Sequence, residues 1–370
     1  MLRVLLIGAT GVFGQRVARQ LAHDPRFQLT VGGRTLKALE AMRVELADPS
    51  VRTALIDVHA PDFAATLASL APQLVIHSAG PFQSQDYRVA EACLACGSDY
   101  IDLADGRQFV AGIGVLDARA REAGRLIVSG ASTLPAMSAA AVDNLRDRFA
   151  SLDEIEHAIS PGNRTPRGDA TVASILGYCG RRVPIWRDGQ WQHAYGWLST
   201  KRAPFLSAGS RFVGICDVPD NVLFPERYKG VRSVTFRAGL ELYRLHFGLW
   251  MFAWLARLGL ANNLPRYASR LRRMSEWFLR SGSDEGGMVV QLRGTDHLGQ
   301  PLHLRWTIHA GAGDGPQIPA IPAVVVARKL ADGELVQHGA MPCMGLFTLD
   351  EALAALSSYA MTTQLEELKA

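Results

Sequence analysis

Val4-Leu5-Leu6-Ile7-Gly8-Ala9-Thr10-Gly11-Val12-Phe13-Gly14 decides the fold. Val4 to Ile7 is a short apolar run and reads as a buried strand. Beyond Gly14, residues Val17, Ala18 and Leu21 recur at helical spacing. A glycine turn between strand and helix turns backbone amides and the positive helix end toward an anion. The diphosphate of a dinucleotide suits that arrangement. Gly8 permits the tight turn, Gly11 lets phosphate come close, and Gly14 lets the helix pack on the sheet. Thr10, Val12 and Phe13 complete the phosphate loop. The spacing is GxxGxxG rather than GxGxxG, so the three roles are assigned by analogy. A purely structural turn is the alternative reading.

The second strand, Leu29-Thr30-Val31, runs into Gly32-Gly33-Arg34. NAD sites place Asp or Glu here for the ribose hydroxyls. This strand end has no carboxylate. Arg34 stands there instead, with Thr35 and Lys37 beyond it. A guanidinium grips a 2′-phosphate in bidentate fashion, whereas a carboxylate repels it. NADP(H) is therefore the expected cofactor. The alternative is that Arg34 and Lys37 are solvated residues opening a surface helix.

Strand and helix signals then alternate. Strands are expected at 54–58, 74–77, 100–103 and 126–128. This implies a Rossmann-type, doubly wound parallel α/β sheet over residues 1–135. Composition changes after Pro135. Longer strands with polar alternation, at 154–159, 231–237, 287–294 and 302–309, predict a second α+β domain with a mixed sheet over 136–348. Gly311 to Pro322 reads as a loop. Residues 349–370 read as a C-terminal helix packing back on the first domain.

The chain has 370 residues, 48% apolar and 20% charged, with a net charge of +4. These values describe a globular protein of two domains and do not suggest a nucleic-acid binder. Five cysteines form no disulfide framework and fit a reducing, cytoplasmic setting. Cys93 and Cys96 spell C-x-x-C inside an expected helix without a second pair, so no metal site is expected. No cleavable signal peptide is expected. The apolar segment from His246 to Ala256 is too short to span a bilayer. Arg266, Arg270, Arg272, Arg273 and Arg280 follow it. It reads either as a buried interface helix or, with its tryptophans, as a peripheral contact with an anionic inner membrane face.

Several passages together resemble the saccharopine dehydrogenase-like family, in particular its diverged reductase branch, which includes trans-acting enoyl reductases. They are GATGVFG at 8–14, GGR at 32–34, HSAGPFQSQDYRVAEACLACGSDYIDLADG at 77–106, SGASTLPAM at 129–137 and RTPRGDATVASIL at 164–176. The resemblance implies an NADP-binding domain, a mixed-sheet domain shaping a substrate cleft, and a homodimer. It implies oxidoreductase activity on imine-forming amino-acid adducts or lipid-linked enoyl substrates. It matches Gly8, Gly11 and Gly14 to the dinucleotide loop and Arg34 to the 2′-phosphate contact. Gly80 and Pro81 match the loop passing the nicotinamide, and Asp102 the acidic end of the fifth strand.

Candidate chemistry lies where strands end. Ser78, Ala79, Gly80 and Pro81 are small enough for close approach to the nicotinamide ribose, with Phe82 placed to cover the ring. His77 is either a satisfied core histidine or a catalytic one. Tyr100 and Asp102 share a strand face. Tyr100 is a candidate proton donor, and Asp102 a candidate holder of a substrate amine, or else an acceptor of loop amides. Ser129 is placed to bond the nicotinamide amide or substrate. Arg167, with Arg164, Asp169 and Thr171, either binds an anionic substrate group or caps the domain junction. The functional reading is hydride transfer to or from a C=C, C=N or C=O bond. The alternative is a non-catalytic NADP-binding structural or sensor protein.

Overall fold

The computed structural model describes residues 1–369. The chain forms two compact units, Met1–Met137 with Gln317–Ala355, and Ser138–Pro316 with Leu356 onward.

The first unit opens with β1 (Leu2–Ile7), α1 (Gly14–Ala22), β2 (Phe27–Gly33), α2 (Leu36–Leu46), β3 (Arg52–Leu55), α3 (Phe63–Leu70), β4 (Leu74–His77), α4 (Arg88–Cys96) and β5 (Asp99–Asp102). Two short helices, α5 (Arg107–Ala111) and α6 (Asp117–Glu122), lead to β6 (Leu126–Ser129). The six strands are parallel, in the order β6-β5-β4-β1-β2-β3. The order reverses beside β1, which makes the gap between β1 and β4 the switch point where such sheets bind ligands. Ile7 pairs with both Gly32 and His77. The loops beginning at Gly8, Arg34 and Ser78 therefore leave the sheet side by side. Leu5, Ile7, Val75 and Ile127 pack with Val89 and Cys93 of α4 in one buried cluster. Each such aliphatic side chain contributes about 1.5–3 kcal/mol on burial.

The second unit continues with α7 (Ser138–Arg146), β7 (Ser151–Ser160), α8 (Asp169–Tyr178), β8 (Arg182–Arg187), β9 (Gln190–Tyr195), β10 (Lys201–Pro204), β11 (Ser210–Ile215), α9 (Asp220–Arg227), β12 (Ser233–Ala238), α10 (Tyr243–Arg257), α11 (Ala268–Glu276), β13 (Gly286–Thr295) and β14 (Pro301–Ala310). β12 and β7 are parallel, and β7, β13 and β14 are antiparallel neighbours. The sheet is mixed, as its sequence alternation implies. Ile155, Val290, Leu292 and Leu304 are buried on one face, while Gln291 and Arg305 occupy the alternate positions.

The chain then returns to the first unit as α12 (Ile321–Ala331), β15 (Gly339–Pro342) and α13 (Leu349–Ala355). β15 adds to the β6 edge in parallel, completing seven strands. Finally β16 (Met361–Leu368) pairs with β14 in the second sheet. Two expectations are corrected here. The second domain does not run unbroken to 348, because 317–355 belongs to the first unit. Residues 349–370 are not one helix. α13 stops at Ala355, and the β-branched pair Thr362-Thr363 enters an extended strand whose register runs from Ala310↔Met361 to His303↔Leu368. Pro322 opens α12 at its first turn, where a proline has no amide bond to lose.

Among the described residues no helix is long and apolar enough to cross a membrane. All five cysteines are unpaired, and Cys93 is buried within α4.

Candidate functional site

The glycine turn has the geometry of a cradle. Gly8 has φ +82°, and its amide and that of Ala9 donate to the Gly32 carbonyl at 3.0 and 3.3 Å. A Cβ on Gly14 would lie 2.3 Å from the Gly8 carbonyl oxygen and 2.9 Å from Ala9 Cα, so α1 approaches the strand end through bare backbone. Gly11 differs. Its added Cβ would meet only the Gly8 oxygen, at 3.2 Å, and Gly11 is exposed. The amides of Val12, Phe13 and Gly14, at the opening of α1, donate to no acceptor among the described residues. Thr10 is exposed beside them. Free amides at a helix start attract anions. The residues present therefore fit a diphosphate.

Arg34 follows β2, two residues from the Gly32 carbonyl that anchors the turn. Arg34, Thr35 and Lys37 are all exposed, and Thr35 makes no side-chain cap on α2. The two cations are thus available beside the cradle.

Ser78 braces the cradle from behind. Its hydroxyl lies 3.0 Å from the Ile7 carbonyl and 3.1 Å from the Gly8 carbonyl, to which it donates. Ala79 and Pro81 are held by Gln85, whose side-chain amide donates to their carbonyls at 2.8 and 3.1 Å. Gln85 was not legible as a site residue, because no periodicity marks it within the polar run Gln83-Ser84-Gln85-Asp86. Gly80 is exposed in this loop. Phe82 does not offer its ring to a ligand. It is buried against His77 and Phe109, with ring centroids 5.1 and 5.5 Å away.

His77, Asp102 and Ser129 end β4, β5 and β6, Tyr100 lies two residues before Asp102 within β5, and all four are buried. His77 Nδ1 is 3.1 Å from the Tyr100 hydroxyl. Asp102 Oδ1 accepts from the Ala104 amide (2.9 Å), the Gly130 amide (2.8 Å) and the Ser129 hydroxyl (3.0 Å). Its carbonyl takes the Ala131 amide at 2.8 Å. Burial pushes the Asp102 carboxyl up to about 6 against these donors. Burial also pushes His77 down to about 4 and holds the Tyr100 phenol well above its usual range.

These placements decide between the two readings of Asp102 and bear on the roles expected of Tyr100 and Ser129. Tyr100 is 1% exposed in the core cluster, so it positions His77 and does not face a ligand. Asp102 pins the loop from Ser129 to Ala131. Ser129 is buried and donates its hydroxyl to Asp102, which leaves only its acceptor lone pairs uncommitted.

The second unit carries the other polar cluster. Arg167 donates to the Asn163 carbonyl at 2.5 Å and to Asn163 Oδ1 at 3.1 Å. Burial lowers its pKa, opposed by Glu276. Asp169 is engaged by Ser269 and Arg272, at 2.8 and 2.5 Å. Arg164 and Thr171 are exposed. Arg167 thus belongs to a different unit from Tyr100 and Asp102.

Residues 4–129 match the family model described as the saccharopine dehydrogenase NADP binding domain. That span, within the first unit, is similar to the NADP-binding domain of saccharopine dehydrogenases. The cradle and Arg34 both lie inside the matched span. A curated relative, carboxyaminopropylagmatine dehydrogenase of Synechocystis sp., is 32% identical over 107 residues. That match covers 28% of this chain and 26% of the relative, so it spans about a quarter of the relative's length. Two solved structures share the fold over nearly the whole chain. Apo saccharopine dehydrogenase (L-Glu forming) from Saccharomyces cerevisiae has TM-score 0.68 at 12% identity, covering 100% of both chains. Homospermidine synthase from Legionella pneumophila, solved with NAD, has TM-score 0.61 at 10% identity, covering 99% of this chain and 91% of the other. The likeness is thus one of sequence over residues 4–129 and of fold alone beyond them.

Proposed function

We propose that this protein is an NADP(H)-dependent oxidoreductase acting on a C=C, C=N or C=O bond of an apolar, lipid-linked type of substrate. The carrying observation is the cradle of Gly8, Gly11 and Gly14 with free α1 amides, set beside Arg34 and lacking a carboxylate at the β2 end. The bound nicotinamide would supply the hydride chemistry. Gly11 and the amides of Val12, Phe13 and Gly14 would hold the diphosphate. Arg34, with Thr35 and Lys37 nearby, would hold the 2′-phosphate. Ser78 and Gln85 would keep the loop from Ala79 to Pro81 in shape along the nicotinamide side. Asp102 would fix the neighbouring loop from Ser129 to Ala131. Arg167, whose guanidinium is only partly engaged by Asn163, would meet an anionic group of the substrate.

The apolar substrate class draws support from the exposed aromatic residues of α10, Phe247 and Trp250 among them. The proposed setting is the cytoplasm, on the five unpaired cysteines. The proposed assembly is a homodimer, as the family resemblance implies. A single monomeric species in sedimentation would remove that part.

Titration with NADPH, NADP+, NADH and NAD+, followed by turnover assays on imines, ketones and activated alkenes of short and long chain, tests the reading. Binding with turnover supports it. Binding without turnover of any substrate class favours a nucleotide-binding sensor. Arg34→Ala should weaken NADPH by about 1–3 kcal/mol more than NADH. Equal losses for the two nucleotides would give Arg34 a structural role instead.

A further inference from the structure

A surface helix ordinarily turns a polar face to water, and a helix apolar on all sides is ordinarily covered. α10 breaks this pattern. His246 and Ala253 are buried on its inner side, and Gly180, just past α8, packs on the Ala253 backbone. The outer side should be polar, yet Tyr243, Phe247, Trp250 and Met251 are exposed there at helical spacing. Phe247, Trp250 and Trp254 stack edge to face, with centroids 6.2 and 6.0 Å apart. Leu258 and Leu260 continue the exposed apolar run beyond the helix.

α11 adds charge. Asp169 of α8 ties it down through Ser269 and Arg272, so α8 contacts α11 while the residues after it contact α10. Arg270, Arg273 and Arg280 are exposed, and Trp277 just beyond the helix is 78% exposed. Residues 243–280 contain seven arginines and one acidic residue, Glu276, which pairs with Arg272. The segment is therefore strongly cationic and apolar at its tips.

We propose that α10 and α11 dock the second unit on an anionic lipid bilayer. The aromatic and aliphatic tips enter the headgroup region, and the arginines bind lipid phosphates. Charge selects this occupant. A second copy in two-fold contact would set these arginines against themselves. A nucleic acid offers phosphates but nothing to cover Leu258, Leu260 and Met274, which do not stack on bases. The surface is separate from the nucleotide cradle, because none of its residues lies in the first unit.

The test is sedimentation of the full chain with phosphatidylcholine vesicles, with and without phosphatidylserine, at low and high salt. Binding should require phosphatidylserine and fall as salt rises. Arg270→Ala with Arg273→Ala should lower the partition about fivefold for each arginine removed. Trp277→Ala should lower it roughly tenfold. These side chains are exposed, so the variants should keep the wild-type thermal melt and nucleotide binding. Equal binding to neutral and anionic vesicles overturns the proposal, as does undiminished binding in either variant. Tighter capture by single-stranded RNA than by vesicles also overturns it. So does failure to bind vesicles together with a change in oligomeric state in Trp277→Ala, which would assign the surface to a second copy.

Discussion

Gly14→Ala should abolish NADPH binding and remove about 3 kcal/mol of stability from the first unit, the upper end of what overpacking usually costs. The new Cβ would sit 2.3 Å from the Gly8 oxygen and 2.9 Å from Ala9 Cα, and neither backbone atom has a rotamer to move away. Ala has the better helix propensity, by about 1 kcal/mol, but the clash outweighs it. Gly11→Asp is the counterpart. Its Cβ meets only the Gly8 oxygen at 3.2 Å, so a shift of a few tenths of an ångström accommodates it. That variant should stay folded and still lose all four nucleotides, because its carboxylate faces the diphosphate. Equilibrium titration beside a thermal melt separates the two cases. A Gly14→Ala protein with wild-type melting and wild-type NADPH affinity would falsify the packing role.

The second large effect is hidden in the wild type. Asp102, pushed up to about 6, holds a proton in the folded state that the unfolded chain has released. Its contribution is complete below the unfolded value of 3.8 and is lost as pH rises through about 6. His77, pushed down to about 4, stays neutral where the unfolded chain takes a proton. Its contribution is complete above 6.5 and is lost as pH falls through about 4. Each shift is worth about 3 kcal/mol, with opposite slopes. The wild-type curve should therefore show little net slope from this pair across the shared window.

Asp102→Asn leaves only the histidine slope, so stability should rise by about 3 kcal/mol from pH 4 to 6.5. His77→Gln leaves only the carboxylate slope, so stability should fall by about 3 kcal/mol from pH 4 to 6. All seven tryptophans lie in the second unit, so their fluorescence does not report this change. Amide hydrogen exchange in β4 to β6 does. Parallel pH curves for the two variants would show that these two groups do not set the slope.

The parts of the site legible in sequence were those fixed by local backbone demands. A strand, three glycines and a helix start announce a diphosphate cradle, because Gly8 and Gly14 answer steric needs within a few residues and Gly11 leaves the turn open to an anion. Arg34 was legible for a similar reason, since its position relative to the β2 end is set by chain connectivity. The buried cluster was only half legible. Alternation places Tyr100 and Asp102 on one strand face, but not which layer covers that face. α4 covers it, and a residue facing a packed helix is closed to substrate. The partners of Asp102 lie 27 and 28 residues away on β6 and the loop after it, beyond the reach of any local pattern.

β15 escaped notice because Gly-Ala-Met-Pro has neither length nor alternation. It holds its place through the Gly339 amide on the Arg125 carbonyl and the Ala340 amide on Asp117. The helical reading of 349–370 failed at its second half. Glutamates and leucines favour a helix, and pairing with β14 overrides that local preference.

The late return of the chain to the first unit has a consequence for synthesis. A ribosome delivers β1 to β6 early, then the whole second unit, and only then the β15 segment that closes the β6 edge. Until Gly339 emerges, the nascent sheet carries an unpaired row of amides and carbonyls along β6, the kind of edge that recruits strands from other chains. The second sheet waits in the same way for β16. Neither unit is finished before the other is nearly made, so a polypeptide arrested at Pro316 would hold two open sheets and no completed domain.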